Sequence, residues 1–334
     1  MKWPGTIVVS RTDSIGDVML TLPLLGRLRA HYPKARLVFL GRSYTAPVLR
    51  RCRHIDVVLT MEQLMEEHGG NAVDRLRSLQ ADAILHVFPD RQVAQWAKAA
   101  GIPHRIGTSH RWWHWFTVNE RVNFSRRNSE LHEAQLNLKL LEPFGITTIP
   151  NLAQLASDTG FGPIDPDPAI AELLRPGRRH VLIHPGSKGS AAEWGLDRFT
   201  ELIRLLSPAQ YQVILTGTQA EAESYRKHLP MGSVHVTDTG GRLSLDGLIA
   251  LIGASDAMVA ASTGPLHIAA AAGIRAIGLF PTQRPMHPGR WAPLGRDVHI
   301  LVDEAHDHLD ANAQVHAIDP ERVLPLLDQL RPRA

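Results

Sequence analysis

Two segments put proton-moving or phosphate-holding groups directly after apolar strands. The first reads Arg11-Thr12-Asp13-Ser14-Ile15-Gly16-Asp17 and continues Val18-Met19-Leu20-Thr21-Leu22-Pro23. Gly16 permits a tight turn and close backbone approach, which presents Asp17 at a helix N-terminus. A carboxylate there can take a proton from an attacking hydroxyl. The helix dipole keeps it ionised, and so both available and weakened as a base. The same spacing equally suits a plain helix cap by Asp17 or Asp13. The second segment, Ala261-Ser262-Thr263-Gly264-Pro265-Leu266-His267, separates an apolar strand from an Ala-rich helix. Amides around Thr263 and Gly264 suit a diphosphate, the Thr263 hydroxyl adds a donor, and His267 in the first turn adds another. A simply capped helix carries the same signature.

A third loop, His184-Pro185-Gly186-Ser187-Lys188-Gly189-Ser190, combines glycine, hydroxyl and lysine after a strand. It can cradle phosphate oxygens, although it lacks the GxxxxGK[ST] spacing of a Walker motif. Glu221, shortly after the run Val213–Thr218, is a strand-end acid able to accept from ribose hydroxyls, or a solvated helix-start glutamate. Other patterns carry less. Asp165-Pro166-Asp167 spells a DxD but falls in a proline-rich stretch, and His299, His306 and His308 with Asp303 and Asp307 read as a surface loop. No metal site is therefore expected. No GxGxxG follows a strand, so no dinucleotide cofactor is expected either.

Parallel sheets covered by helices are the elements that must position these loops. Short apolar strands alternate with longer amphipathic segments along the whole chain. Strands are predicted over residues 6–10, 36–40 and 83–87, with a helix over 18–31. The stretch 158–168 is rich in Gly and Pro and reads as an interdomain linker. A second series follows, with strands over 180–184, 212–216, 257–261 and 276–280 and helices over 196–206, 245–252 and 265–272. The predicted organisation is an acceptor-binding domain over 1–157, a linker over 158–176 and a nucleotide-sugar-binding domain over 177–334. The last helix, 319–330, starts at an Asp-Pro cap and is a candidate to pack back on the first domain. Two doubly wound domains would make a cleft, with ligands at the carboxyl ends of the strands that face it.

Composition fits this reading. The chain has 334 residues, 44% hydrophobic and 21% charged, which is ordinary for two globular α/β domains and excludes disorder. No apolar run reaches the roughly 20 residues of a spanning helix, and the start, Met1-Lys2-Trp3-Pro4-Gly5, lacks a signal peptide's pattern, so a cytoplasmic location is expected. The single cysteine, Cys52, agrees with a reducing compartment. Net charge is only +3, yet Arg42, Arg50, Arg51, Arg53, Arg105, Arg111, Arg121, Arg126 and Arg127 crowd the first half. They point to an anionic partner or to a solvated basic face. Nucleic acid is not expected, since no binding motif interleaves them. Trp112, Trp113, Trp115 and Phe116 beside Arg111 fit a membrane- or acceptor-facing loop as well as they fit core packing.

Three motifs together resemble glycosyltransferase family 9, the heptosyltransferases that add ADP-heptose to the lipopolysaccharide core. They are Ser14-Ile-Gly-Asp-Val-Met-Leu-Thr-Leu-Pro23, His184-Pro-Gly-Ser187 and Ser262-Thr-Gly-Pro-Leu-His-Ile-Ala-Ala-Ala271, in family order over nearly the whole length. The resemblance implies a GT-B fold of two Rossmann-like domains facing a cleft, inversion at the anomeric carbon, no required metal and peripheral contact with the inner face of the cytoplasmic membrane. It also implies Asp17 as catalytic base, with Ser14 and Gly16 beside the acceptor. Ser187, Lys188, Glu221, Ser262, Thr263, Gly264 and His267 fall on the donor side, with Glu221 as ribose-binding acid and Leu243 near the base moiety. Arg42, Arg105 and Arg111 are candidates to receive an anionic glycan or glycolipid. Two positions depart from the pattern. Ser262 stands where members often carry Asp, and Ala192 precedes Trp194 where many carry Lys, so Lys188 is the replacement cation for the phosphates. The rival expectations are a sugar-nucleotide epimerase of the same architecture and a non-catalytic nucleotide-sugar-binding protein.

Overall fold

The strands of the first half lie side by side because βαβ crossovers return each one parallel to its predecessor. The computed structural model describes residues 4–66, 72–127 and 129–330. The first three residues of the predicted amino-terminal pattern, Met1 to Trp3, lie outside these. Two units are resolved, Met1–Gly162 and Pro163–Ala334. In the first, β1 (Thr6–Ser10), β2 (Arg36–Gly41), β3 (Val57–Thr60), β4 (Ala83–His86), β5 (His104–Thr108) and β6 (Glu120–Val122) form a parallel sheet of order β3-β2-β1-β4-β5-β6. In the second, β7 (Arg179–His184), β8 (Tyr211–Leu215), β9 (Val236–Asp238), β10 (Ala257–Ala261), β11 (Arg275–Leu279) and β12 (Val298–Leu301) form a sheet of order β12-β11-β10-β7-β8-β9. Counted within its own unit, each order is 3-2-1-4-5-6, the doubly wound Rossmann arrangement. The strand order reverses between β1 and β4 in one unit and between β7 and β10 in the other.

Buried aliphatic faces explain the layers. β1, β4, β7 and β10 are almost wholly buried, as expected for strands covered by helices on both sides. Trp194 anchors the second core, fully buried, with its indole N–H donated to the Ile318 carbonyl at 2.9 Å and its ring edge-on to Phe199. Ala192 joins the same core.

Three predicted elements differ from the structure, and proline accounts for two of them. The helix predicted over 18–31 is two helices, Ile15–Met19 and Leu22–His31. Pro23 has no N–H to continue the first ladder and instead sits in the first turn of the second helix. The terminal helix is likewise broken, into a 3₁₀ turn Pro320–Arg322 and a helix Leu324–Asp328. That final helix buries Leu327 in the second unit's core, and Tyr211 donates to Asp328 at 2.6 Å. The expected linker is held at both ends. Gly160 and Gly162 exchange backbone hydrogen bonds with Arg53 and Arg51 of the first unit, whereas Ile164 lies against Gly253 of the second.

Gly26 lies at the crossing of helix Leu22–His31 with helix Leu152–Asp158, and a Cβ there would stand 2.1 Å from the Asp158 carbonyl oxygen. Helix propensity alone favours Ala over Gly by about 1 kcal/mol. Overpacking against a backbone atom costs about 1–3 kcal/mol, and the main chain cannot rotate away. Gly26→Ala is therefore expected to lower the urea midpoint of the first unit; an unchanged or higher midpoint would show that the helices separate freely.

Candidate functional site

In both sheets the loops singled out in the sequence emerge at the switch point, where the strand order leaves a crevice outside the carboxyl ends. In the first unit β1 delivers Arg11 to Asp17. Ser14 is the N-cap of helix Ile15–Met19, Asp17 is its third residue, and the Ser14 hydroxyl donates to Asp17 Oδ2 at 2.5 Å. Capping and presentation are thus one arrangement, with Ser14 making the cap and Asp17 held by it.

The dominant electrostatic feature is Arg11, whose side chain is only 4% exposed. Its guanidinium donates to Asp13 through Nε at 2.8 Å and Nη2 at 3.1 Å, to Asp17 through Nη2, and to Glu133 and Asn137 through Nη1 at 3.2 and 3.1 Å. Arg126 adds a second cation, donating to Glu133 at 3.0 Å and to Asn137 at 3.0 Å. Burial pushes the Asp13 carboxyl above its usual range; Arg11 pulls it back and the Asp17 charge pushes it up again. Asn137 donates to the Leu20 carbonyl at 3.2 Å, which ties helix Glu133–Leu138 to the break between the first two helices.

The predicted acceptor arginines part company. Arg42 follows β2, beside β1 in the sheet, and pairs with Glu62 at 2.8 Å while remaining half-exposed. Arg111 follows β5 and lies exposed over the Trp113 ring at 5.7 Å. Arg105, by contrast, is the second residue of β5, at its amino end. Its guanidinium donates to the carbonyls of Ile102 and Thr117, so it is committed to closing its own loop rather than brought to the Asp17 edge. Trp112, Trp115 and Phe116 are exposed at 61%, 61% and 70%, with Arg91 over Trp112 and Arg121 over Trp115. Trp113 turns inward instead, its indole N–H buried.

In the second unit β7 and β10 are neighbours, with Ala260 beside His184 in the register, so their two loops share one edge. The backbone of the first loop is forced. Lys188 has φ 51°, left-handed for a side-chain-bearing residue, and Gly189 follows at φ 75°. Ser187 closes the loop from inside, its amide and hydroxyl both on Glu193 Oε1 at 2.9 and 2.7 Å, while Lys188 projects outward, exposed. Glu221 is the third residue of helix Gln219–Tyr225 and accepts from the Thr218 amide and hydroxyl at 2.7 Å each. Burial alone would raise its carboxyl, but these hydrogen bonds and the charges of His184 and Lys188 hold it low. A Cβ on Gly186 would stand 2.7 Å from Glu221 Oε1, so a side chain there would displace the acid from its place beside the loop after β7. Leu243 is half-buried in the loop between β9 and helix Leu245–Ala254.

At helix Gly264–Ala272 the expected donors need revision. The Thr263 amide is spent on the Ala261 carbonyl at 2.7 Å, and Pro265 has no amide. Gly264 remains as the amide at the helix start. The Thr263 hydroxyl, buried and making no capping bond, has no partner among the described residues. A buried hydroxyl left unmade costs free energy. Ser262 beside it is half-buried, and His267 is buried in the first turn. Asp167 of the DxD caps helix Pro168–Ala171 through the Ala169 amide.

Residue-type reasoning did not single out His86, the last residue of β4. It is fully buried beside Ser10 in the register and 5.9 Å from the His114 ring, with neither ring nitrogen hydrogen-bonded among the described residues. Burial, then the nearby His114 and Arg105 charges, pull its pKa down to about 3. Arg11, Glu133 and Asn137 were equally invisible as a group, because they stand 122 and 126 residues apart in the chain.

The profile of glycosyltransferase family 9 (heptosyltransferase) matches residues 71–316. A Haemophilus influenzae protein named as a candidate glycosyltransferase is 27% identical over 94% of this chain and 93% of its own. The structure of Escherichia coli ADP-heptose lps heptosyltransferase II superposes with a TM-score of 0.75 at 20% identity, covering 97% of each chain. That of E. coli heptosyltransferase WaaC with ADP gives 0.71 at 15% identity, over 97% of this chain and 99% of that one. These two structures share the GT-B fold of paired Rossmann-like units with this chain.

His86 makes acid stability testable. Its folded pKa lies below the ordinary value of about 6.5, so between the two the unfolded chain takes up a proton that the folded one refuses. Stability is then full above about pH 6.5 and lost as pH falls, by about 1.4 kcal/mol per unit from this group. His86→Leu is expected to flatten the acid limb of urea stability against pH; an unchanged slope would place the acid sensitivity elsewhere.

Proposed function

Because the chain belongs to glycosyltransferase family 9, we propose that it is an inverting, metal-independent heptosyltransferase that moves heptose from ADP-heptose to a lipopolysaccharide-core or related glycan. The observation that carries this reading is the paired switch points: Asp17 stands at that of the first unit, and the unpartnered Thr263 hydroxyl with the Gly264 amide at that of the second. In the proposed reaction each edge supplies one half of the transfer. An acceptor hydroxyl gives its proton to Asp17 as its oxygen attacks the anomeric carbon from the face opposite the diphosphate. The bond from that carbon to the diphosphate oxygen breaks, and ADP leaves with the electron pair. The departing charge meets the Gly264 amide, the Thr263 hydroxyl and the Lys188 ammonium, which are fixed or tethered dipoles and charge in place of a metal. His267 and Ser262 complete the phosphate side, Glu221 takes the ribose hydroxyls, and Leu243 lies against adenine.

Arg42 and Arg111, on either side of β1 and β4, are the proposed contacts for an anionic acceptor. Peripheral attachment to the inner membrane face is part of the proposal. It is supported by the exposed Trp112, Trp115 and Phe116 and by the arginines stacked on them, since such rings favour the interfacial layer and such charges favour anionic lipid. No helix among the described residues is long and apolar enough to cross a membrane.

Two experiments test this. With ADP-heptose and a truncated lipopolysaccharide core, the chain should release ADP only when both are present, and Asp17→Asn should lose at least about a hundredfold in turnover while ADP affinity changes less than about twofold. Retained turnover, or isomerised donor formed without acceptor, overturns the reading. Thr263→Val should leave the unfolding free energy in urea within about 0.5 kcal/mol, because the hydroxyl lost has no partner among the described residues, yet weaken ADP binding about tenfold by calorimetry.

A further inference from the structure

All five N–H groups of Arg11 have acceptors, and the way they are shared is uneven. A guanidinium meets a carboxylate most strongly through two parallel N–H bonds, and that bidentate face goes to Asp13, through Nε at 2.8 Å and Nη2 at 3.1 Å. Asp17 receives one Nη2–H on Oδ1 and the Ser14 hydroxyl on Oδ2. Nη1 is held from the other side by Glu133 and Asn137. A carboxylate offers about four lone-pair positions, so Asp17 keeps one free on each oxygen. Were the bidentate face turned to Asp17, both of its oxygens would be bridged to the cation.

We propose that Asp13 is a positioning residue for the Asp17 base: by taking the bidentate face of Arg11 it keeps the guanidinium from closing on Asp17. The inference rests on the reading of Asp17 as base. The charged and titratable groups around the pair are few. Arg11 and Ser14 belong to the same loop; Glu133 and Asn137 come from helix Glu133–Leu138, and Arg126 from the loop after β6. Tyr44, which donates to the Asp13 carbonyl at 2.5 Å, comes from the turn after β2 together with the Arg42–Glu62 pair. Asp90 is joined through the Thr12 hydroxyl. Within the contacting set, Arg11 and Arg126 oppose Asp13, Asp17 and Glu133, two cations against three anions. Asp13→Asn removes that excess and halves the competition for the bidentate face.

The test is kcat and kcat/KM against pH for the wild type, Asp13→Asn, Asp13→Glu and Asp17→Asn, with ADP-heptose and truncated core as substrates. Losing a neighbouring negative charge favours the ionised form of Asp17. The acid limb of Asp13→Asn should therefore move to lower pH by about one unit. Its plateau kcat should fall about tenfold, with KM within about twofold, as a more acidic and doubly bridged base is a weaker one. Asp13→Glu keeps the charge and should hold the limb where it is while recovering part of kcat. A residue that only stabilises the loop would lower both variants alike and leave the limb in place. Should Asp13→Asn fail to fold, Asp13→Ser removes the same charge in its place, and a limb that stays put in that variant overturns the inference. If Asp17→Asn keeps its turnover, the base reading fails. If it is inactive and the limb of Asp13→Asn stays put, only the role of Asp13 does.

Discussion

A guanidinium withdrawn from water at the end of β1 constrains everything built around it. Removing such a charge from solvent costs several kcal/mol, and the cost is offset only when its donors are fully met with good geometry. Arg11 meets that condition with acceptors from its own loop and from a helix more than a hundred residues further on. The loop of Asp17 is thus not a free turn. Its shape depends on Glu133 and Asn137 being in place, and Asn137 reaches on to the helix break at Leu20. Packing of helix Glu133–Leu138 and the position of the proposed base are one problem, because neither group can shift without leaving a buried charge unpaired.

The second unit solves a related problem with the same topology and different chemistry. Parallel strands direct all their carboxyl ends to one edge, and the reversal of strand order opens a gap there that backbone and side chains can line. In the first unit the gap is lined by carboxylates tied to a cation, an arrangement suited to moving a proton. In the second it is lined by a strained Lys188, the Gly264 amide and an unpartnered hydroxyl, an arrangement suited to an anion. The two halves of a group transfer, nucleophile activation and leaving-group stabilisation, would then fall on separately folded units.

Much of this was legible in the sequence, and what escaped has a physical pattern. β1, β2, β4, β7, β8, β10 and β11 announce themselves as apolar runs, since both faces of a central parallel strand are buried. β3 (Val57–Thr60), β6 (Glu120–Val122), β9 (Val236–Asp238) and β12 (Val298–Leu301) do not: they are edge strands, short and partly polar. Inner β5, His104–Thr108, hides behind the same polar texture. The placement of Asp17, Thr263 and Lys188 in loops that follow strands was readable because that signal is local. Arg105 looked like its neighbours Arg42 and Arg111, and only its position at the amino end of β5 separates it from them. The Arg11 cluster was unreadable for the opposite reason, as its partners are set by tertiary packing and no short-range spacing encodes it. The occupied Thr263 amide belongs to the same class, a detail of turn geometry rather than of residue type.

The donor-side departures follow one line of reasoning once the backbone is known. With the Thr263 amide occupied and Pro265 lacking one, helix Gly264–Ala272 presents fewer main-chain donors than a free helix start. Ser262 adds no negative charge beside them, where an aspartate would oppose a diphosphate. Ala192 is sealed in the core and cannot supply a cation, while Lys188, held exposed by a left-handed backbone three residues after Pro185, can. Fewer amides, one fewer anion and a relocated cation change the local field in compensating directions. In the proposed reaction the charge that stabilises departing ADP then sits on the loop after β7 more than on the helix after β10.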